Sequence, residues 1–152
     1  MTAAQLDRVR ELAAKESGLA FVATLREDGS AQASVVNAGV LAHPLTGEQV
    51  IGFAVRGRRR KLTNLRARPR TTIVFRSAWD WIAVEGTAEL AGPDDAIAGL
   101  DPAELPRLLR QIYAAAVGGT ADDWAGMDQQ MAEEGHSAVL VRPERIYSNP
   151  TE

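Results

Sequence analysis

The sequence predicts a mainly β, α+β domain: a six-stranded antiparallel barrel with helices at its periphery. Six runs rich in apolar and β-branched residues are separated by turn signals, mostly in meander order. The longer helical segments lie before the first run and after the fifth, so the alternating βαβ pattern of a parallel sheet is absent. Closing such a sheet into a barrel also removes its exposed strand edges, which favours a barrel over an open sheet.

The amino-terminal third of the chain has the pattern of one helix followed by a three-stranded meander. Apolar residues recur at helical spacing over residues 3–17, and Gly18 marks the end of that helix. The Asp28-Gly29 pair is a strong hairpin signal between the first two strands, and residues 43–47 supply the next turn. The strands are predicted at residues 19–25, 31–41 and 49–55.

A short helix and two strands are predicted next. Leu62 and Leu65 lie three residues apart in a helix expected over residues 58–67, and Pro69 ends that helix. β-Branched residues then indicate a strand, and a longer strand follows in which side chains alternate between two faces. These two strands are predicted at residues 71–76 and 79–90.

The chain becomes alanine-rich and acidic after Gly92-Pro93, which predicts helices. Pro102 and Pro106 interrupt this region, and Thr120 has the residue type of a helix cap. A β-branched run then predicts the last strand, which can continue beyond a proline. The helices are predicted to start at Asp94 and to cover residues 106–117 and 121–134, and the strand to cover 137–141 with an extension to 145–147.

Length and composition indicate one ordinary globular domain over residues 1–152. Apolar residues make up 45% of the chain and charged residues 24%. Cysteine is absent, which excludes disulfides, thiolate metal sites and cysteine nucleophiles. No apolar run approaches the roughly 20 residues that span a bilayer, and the first residues lack a signal-peptide pattern. We therefore expect a cytoplasmic protein with no membrane span.

Positive charge is concentrated in one segment of an acidic chain. Nine of the 17 Lys and Arg residues lie between Arg56 and Arg76, a stretch without Asp or Glu, although the net charge is −3. The segment follows the third strand and opens a helix, where free backbone N–H groups favour anions. This pattern predicts an anionic partner such as a cofactor phosphate. The nine residues are Arg56, Arg58, Arg59, Arg60, Lys61, Arg66, Arg68, Arg70 and Arg76.

Other chemistries have weaker support in the sequence. His43 and His136 lie outside any serine-hydrolase motif and show no metal-ligand spacing with the scattered carboxylates. The basic segment lacks interleaved aromatic residues and the chain is acidic overall, so nucleic acid is not the expected partner. Both histidines are expected to be surface or core residues, and no metal site is predicted.

Four stretches resemble the flavin- and deazaflavin-binding split β-barrel family that contains pyridoxamine 5′-phosphate oxidase. The resemblance is strongest to the actinobacterial branch that binds coenzyme F420, and it extends from Leu6 to Tyr147. One stretch departs from the family pattern, since Ala31 stands where proline is usual. The stretches are residues 19–37 (LAFVATL, then DG and QASVVN), residues 59–70 (RRKLTNLRARPR), residues 79–88 (WDWIAVEGTA), and the carboxy-terminal pairs Ile112-Tyr113, Asp123-Trp124 and Arg145-Ile146-Tyr147.

The resemblance implies a six-stranded split barrel that forms a homodimer with two cofactor sites at the interface. It also implies that the segment after the third strand binds the cofactor phosphate and tail, and that the second strand contacts the ring. Two tryptophans would flank the ring from a neighbouring strand or from the other subunit. The implied cofactor-binding residues are Gln32, Ser34, Val36, Asn37, Arg56, Arg59, Arg60, Lys61, Asn64, Trp79 and Trp81.

The function implied is that of an F420-dependent oxidoreductase in which reduced deazaflavin delivers a hydride to an electron-poor double bond of a small molecule. Nine basic residues suit the polyanionic tail of F420 better than a single phosphate, which favours F420 over FMN. An FMN-binding oxidoreductase is the alternative within the same fold. A non-catalytic cofactor carrier, or a haem-binding cousin using His43 or His136, is the alternative from another class. No residue is assigned a catalytic role.

Overall fold

Six antiparallel strands close into a barrel in the order β1-β2-β3-β6-β5-β4 in the computed structural model, which describes residues 2–119 and 124–149. Every strand therefore pairs with a neighbour on both sides. The predicted split-barrel class is confirmed. The strands are β1 Leu19–Leu25, β2 Ala31–Ala42, β3 Gln49–Val55, β4 Arg70–Ser77, β5 Asp80–Ala91 and β6 Ser137–Ser148.

The barrel interior is filled by side chains that alternate along each strand. In β1, Ala20 and Val22 are buried while Phe21 between them is exposed, as the two-residue period of a strand requires. Phe53 of β3 and Phe75 of β4 are fully buried in the same core. The barrel is thus a packed core rather than an open channel.

Two helices pack into this core. α1 (Ala3–Lys15) begins with a capping box between Thr2 and Gln5, and its buried face includes Val9 and Leu12. α2 (Arg60–Ala67) buries Leu62 and Leu65 in the same cluster, which fixes the helix against the barrel. The basic segment is therefore held on a well-packed element.

A second apolar cluster lies outside the barrel, beneath α3 (Leu105–Val117). Its members include Val50 of β3, Leu140 of β6 and Ile112 of α3. The carboxy-terminal end of α3 approaches β2 very closely, because a Cβ added at Gly39 would lie 2.4 Å from the Ala115 carbonyl oxygen. The other carboxy-terminal helix, α4, covers Trp124–Glu133.

Most predicted elements are confirmed, and two differ. β1 and β3 have the predicted bounds. The helix expected at Asp94 is wrong: Gly92 and Asp95 instead form a tight reversal, with Gly92 N–H donating to the Asp95 carbonyl oxygen at 2.9 Å. The two parts predicted for the last strand form one strand, in which Pro143 is accommodated by a register shift opposite Glu85 and Gly86.

Part of the predicted last helix, with the Thr120 cap, lies outside the described residues. Among the residues that are described, no helix is long and apolar enough to cross a membrane.

Candidate functional site

The amino-terminal end of α2 offers uncapped backbone donors. Arg59 is the N-cap residue with extended backbone angles (φ −80°, ψ 154°), and its side chain makes no capping hydrogen bond. The first N–H groups of a helix have no partner within the helix, and they carry its partial positive charge. Here they lie among basic side chains, so this helix end suits an anionic group.

A buried amide fixes α2 to the first hairpin. Asn64, only 3% exposed, donates from Nδ2 to Thr24 Oγ1 at 3.0 Å and to Gln32 Oε1 at 3.1 Å. Thr24 and Gln32 face each other across β1 and β2. The structure therefore brings Asn64 and Gln32 together. Sequence reasoning missed Thr24, although its even spacing from Ala20 along β1 places it on the inward face.

Lys61 lies one turn before Asn64 on the same side of α2. Its side chain is half-buried, and this burial lowers the pKa of its ammonium group, with the nearby charge of Arg59 acting in the same direction. A cation that has lost part of its hydration gains more from a bound anion than one fully in water. Lys61 is thus well placed for an anion at this end of the helix.

Several of the nine basic residues already have partners within the chain. Arg66 holds Asp95 through two hydrogen bonds of 2.8 and 2.7 Å. Arg68 donates to the Leu25 carbonyl oxygen at 2.9 Å. Two further ion pairs join Arg58 to Asp94 at 3.2 Å and Arg70 to Glu144 at 2.9 Å.

Four of the five remaining cations lie at the helix end, and the fifth, Arg76, lies on β4. Within residues 2–119 and 124–149, Arg56, Arg60 and Lys61 form no ion pair with a carboxylate. Arg59 donates from Nε to the Arg56 carbonyl oxygen at 3.2 Å, which orients its guanidinium without neutralising it. The positive charge open to a ligand is therefore concentrated on residues 56–61.

A cleft of about 350 Å³ borders the other side of α2. Arg58 and Arg59 line it together with the carboxylates Asp94, Glu133 and Glu134. This mixed charge makes the cleft a poor site for a polyanion. The predicted site residues of this segment therefore do not all face the same way. Arg59 lines the cleft, whereas Lys61 lies on the side of α2 that meets the first hairpin.

The four predicted residues of β2 differ in accessibility. Gln32 and Ser34 point inward and are half-buried at the hairpin end of the barrel. Val36 points the same way but is 8% exposed and belongs to the core, so it offers little surface to a ligand. Asn37 points outward and donates from Nδ2 to the Ser17 carbonyl oxygen at 2.9 Å.

The two predicted tryptophans lie at the other end of β4 and β5. Trp79 is 90% exposed in the turn between these strands, next to Ala78, whose φ of 53° is unusual for a residue with a Cβ. Trp81 packs edge-to-face on Tyr147 with ring centroids 6.1 Å apart. β4 starts beside the end of α2 and extends roughly 20 Å away from it. One chain alone therefore does not bring these rings to α2.

The two histidines have other surroundings than the end of α2. His43 is buried; its Nδ1 accepts from Leu45 N–H at 3.1 Å, so Nε2 carries the hydrogen and donates to Glu89 at 3.0 Å. His136 lines a separate cavity between α3 and α4. The described part of the chain contains no group of three or more potential metal-ligating side chains.

The Arg66–Asp95 pair should make stability sensitive to acid. The guanidinium of Arg66 lowers the pKa of Asp95 below its ordinary value of about 4, so the folded state favours the ionised carboxylate. This contribution is present at neutral pH and is lost as the pH falls through the lowered pKa. We expect Asp95→Asn to reduce the free energy of unfolding at neutral pH and to flatten its decline below about pH 4.

Denaturant unfolding of both proteins across this pH range measures the effect. Glu27→Gln, in the exposed β1–β2 turn, is the matched control and should follow the parent curve. If the free energy of unfolding declined in parallel for the parent and for Asp95→Asn at acid pH, the stabilising role of the Arg66–Asp95 pair would be contradicted.

Comparison with known proteins agrees with this architecture. Residues 6–149 match the family described as pyridoxamine 5′-phosphate oxidase. A search of curated proteins found no match. Similar solved structures include the conserved hypothetical protein Rv2991 of Mycobacterium tuberculosis, with 21% identity, TM-score 0.68, and coverage of 97% of this chain and 84% of that one.

Two other similar structures have cofactors in their names. A pyridoxamine 5′-phosphate oxidase-related, FMN-binding protein of Nostoc punctiforme has 13% identity and TM-score 0.65, covering 97% of this chain and 85% of that one. An F420 reductase has 19% identity and TM-score 0.55, covering 85% of this chain and 88% of that one. At these identities the structures share the fold, whereas the family match extends over nearly the whole sequence. The chain belongs to the pyridoxamine 5′-phosphate oxidase family.

Proposed function

We propose that this protein is a coenzyme F420-binding oxidoreductase that transfers a hydride to an electron-poor double bond of a small molecule. The observation that carries the proposal is the uncapped end of α2, where Arg56, Arg60 and Lys61 have no carboxylate partner among the described residues. Free helix N–H groups and unpaired cations together suit a phosphate followed by further negative charges. The F420 reductase of the same fold supports this choice.

The residues present fit the anionic part of such a cofactor. Lys61 would supply a partly desolvated point charge, and Arg60 and Arg56 would supply guanidinium contacts along the tail. Gln32 and Ser34 are the half-buried polar groups of β2 available to the ring's polar edge. When bound, reduced deazaflavin supplies the hydride; the protein's part is to orient the ring and hold the tail.

Asn64 would act on this site by positioning α2. Its amide hydrogens are engaged by Thr24 and Gln32, so it fixes the distance between the basic helix end and the ring-side strand. The hydrogen bond from Asn64 also orients the Gln32 side chain, and it leaves the Gln32 amide nitrogen free to donate to a ligand.

We further propose a homodimer that uses the outer face of the barrel. Phe21 of β1 and Val35 of β2 are exposed and lie opposite each other on this face, and the half-buried Val74 of β4 lies on the other side of Phe21. An exposed apolar face of this kind is typical of a protein–protein interface. A partner subunit would be the source of Trp79 and Trp81 beside the ring, since one chain holds them far from α2.

FMN binding is the second candidate, and a specific observation favours it. Three of the nine basic residues are paired with Asp94, Asp95 and Glu144, so the charge available for a long anionic tail is smaller than the sequence suggested. A single phosphate needs fewer cations than a polyglutamate tail. The FMN-binding structural neighbour is consistent with this alternative.

A titration with both cofactors tests the proposal. We expect F420 to bind more tightly than FMN, and its affinity to fall at high salt because tail binding is electrostatic. Lys61→Ala should weaken F420 binding by about tenfold or more, the value of one charge-assisted contact. Cofactor fluorescence during the titration gives both dissociation constants.

Arg66→Ala is the matched control on the same helix. Its guanidinium is held by Asp95 and should contribute little to binding, so F420 affinity should change less than for Lys61→Ala. Tight FMN binding with no F420 binding would reject F420 in favour of the second candidate. Equal affinities of the parent and Lys61→Ala would remove Lys61 from the site.

A further inference from the structure

A second cavity lies on the opposite side of the Gly92-Pro93 turn from the α2 cleft. It has a volume of about 350 Å³, is partly open to solvent, and is lined by the start of α3, the second half of α4 and this turn. It shares only Pro93 and Gly135 with the α2 cleft, which form a common wall. None of the residues predicted to bind a cofactor lines it.

The walls of this cavity are mainly apolar. Leu105, Leu109 and Met131 are among the apolar residues that line it. Pro93, Pro102 and Pro106 also line it; since proline has a fixed φ, these backbone positions resist collapse into the space. Pockets of this size with mainly apolar walls and few polar groups are typical of small-molecule sites.

One polar side chain in the wall has a nitrogen available to a ligand. His136 Nδ1 lies 3.3 Å from the Met131 carbonyl oxygen and 3.7 Å from Glu134 Oε2, and both are acceptors. The neutral ring therefore carries its hydrogen on Nδ1, which donates to the carbonyl. Nε2 is left as an acceptor, and no described residue donates to it.

The charged side chain in the cavity wall is neutralised by an ion pair. Asp128 lines the cavity, and its carboxylate is held by Arg110, with Nε donating to Oδ1 at 2.9 Å and a second contact alongside. The guanidinium also lies 5.7 Å from the centre of the Trp124 ring. Among the described residues that line this cavity, no unpaired charge is present to bind an ionised ligand, which favours an uncharged one.

We propose that this cavity binds an uncharged, mainly apolar small molecule that bears a hydroxyl group, with the hydroxyl donating to Nε2 of His136. Its volume exceeds the roughly 150 Å³ that holds one benzene ring, so it accommodates a bicyclic molecule. The proposal does not depend on which cofactor α2 binds.

Two probes that differ only at the hydroxyl test this proposal. The full chain is titrated calorimetrically at neutral pH with 2-naphthol and with 2-methoxynaphthalene, which cannot donate. We expect saturable binding of both, with 2-naphthol bound roughly fivefold more tightly, the usual value of one neutral hydrogen bond. His136→Phe keeps the aromatic ring but removes the nitrogen, and it should abolish this preference.

Two variants of α4 establish where the probes bind. Ala132→Phe places a ring at the cavity wall and should weaken both probes at least tenfold, whereas Gln129→Phe, exposed on the same helix, should bind them as the parent does. Equal affinity of the parent for the two probes, absence of saturable binding, or a preference that survives in His136→Phe would overturn the proposal. Unchanged binding by Ala132→Phe would also overturn it.

Discussion

Gly39→Ala is expected to lower the melting temperature by roughly 5–10 °C, which corresponds to about 2–3 kcal/mol for a chain of this size. The added methyl group would lie 2.4 Å from the Ala115 backbone, a distance that real Cβ atoms do not tolerate. Because the obstacle is helix backbone rather than a flexible side chain, α3 has to move away from β2. That movement would loosen the apolar cluster formed with Val50, Ile112 and Leu140.

Gly119→Ala, just beyond the same end of α3, is the matched control. Gly119 follows α3, and a Cβ there meets no atom within 4 Å. We expect its melting temperature to stay within about 2 °C of the parent value. Thermal unfolding followed by circular dichroism measures both variants. A parent-like melting temperature for Gly39→Ala would contradict the close approach of α3 to β2.

Phe21→Asp is expected to convert the proposed dimer to a monomer. Phe21 is 49% exposed and points outward, so the substitution leaves the barrel core intact. In a dimer that buries this face, the carboxylate would be desolvated among Val35 and Val74 without a partner. An unpaired buried charge costs several kcal/mol, which weakens association roughly a hundredfold or more.

Leu45→Asp controls for the introduced charge, because Leu45 is 47% exposed but lies in the β2–β3 turn, away from this face. Light scattering should give about twice the 16.3 kDa chain mass for the parent and for Leu45→Asp, and the chain mass itself for Phe21→Asp. A parent protein at 16.3 kDa, or a Phe21→Asp protein that stays dimeric, would contradict the proposed interface.

The strands could be predicted from the sequence because their signals are local. Alternating burial in β1 and the Asp28-Gly29 turn are properties of neighbouring residues, and both are present in the structure. The reversal at Asp94 could not be predicted in this way. Asp94 binds Arg58, 36 residues earlier in the chain, and Asp95 binds Arg66, 29 residues earlier. The local composition favoured a helix at Asp94. The structure has a turn there instead, and both aspartates of the turn form ion pairs with distant arginines.

The site shows the same division between local and long-range information. The sequence placed a cluster of cations at the start of a helix, and α2 is where it was expected. Charge counting alone treats Lys61 and Arg66 alike, and only the family resemblance assigned Lys61 and not Arg66 to the site. The carboxylate that neutralises Arg66 comes from a distant turn. Nor could charge counting show that Thr24 and Gln32 take up both amide hydrogens of Asn64, since this depends on α2 packing over the hairpin.

The closed barrel also limits how copies of this chain can associate. Each of the six strands has a neighbouring strand on both sides, so the sheet has no terminal strand to which a strand of another copy could be added along its whole length. Assembly through the barrel wall must therefore rely on side chains such as Phe21 and Val35. Such an interface can evolve by single substitutions without changing the hydrogen bonding of the barrel. Subunits could then exchange while each stays folded, and the barrel wall resists fibril formation by strand stacking.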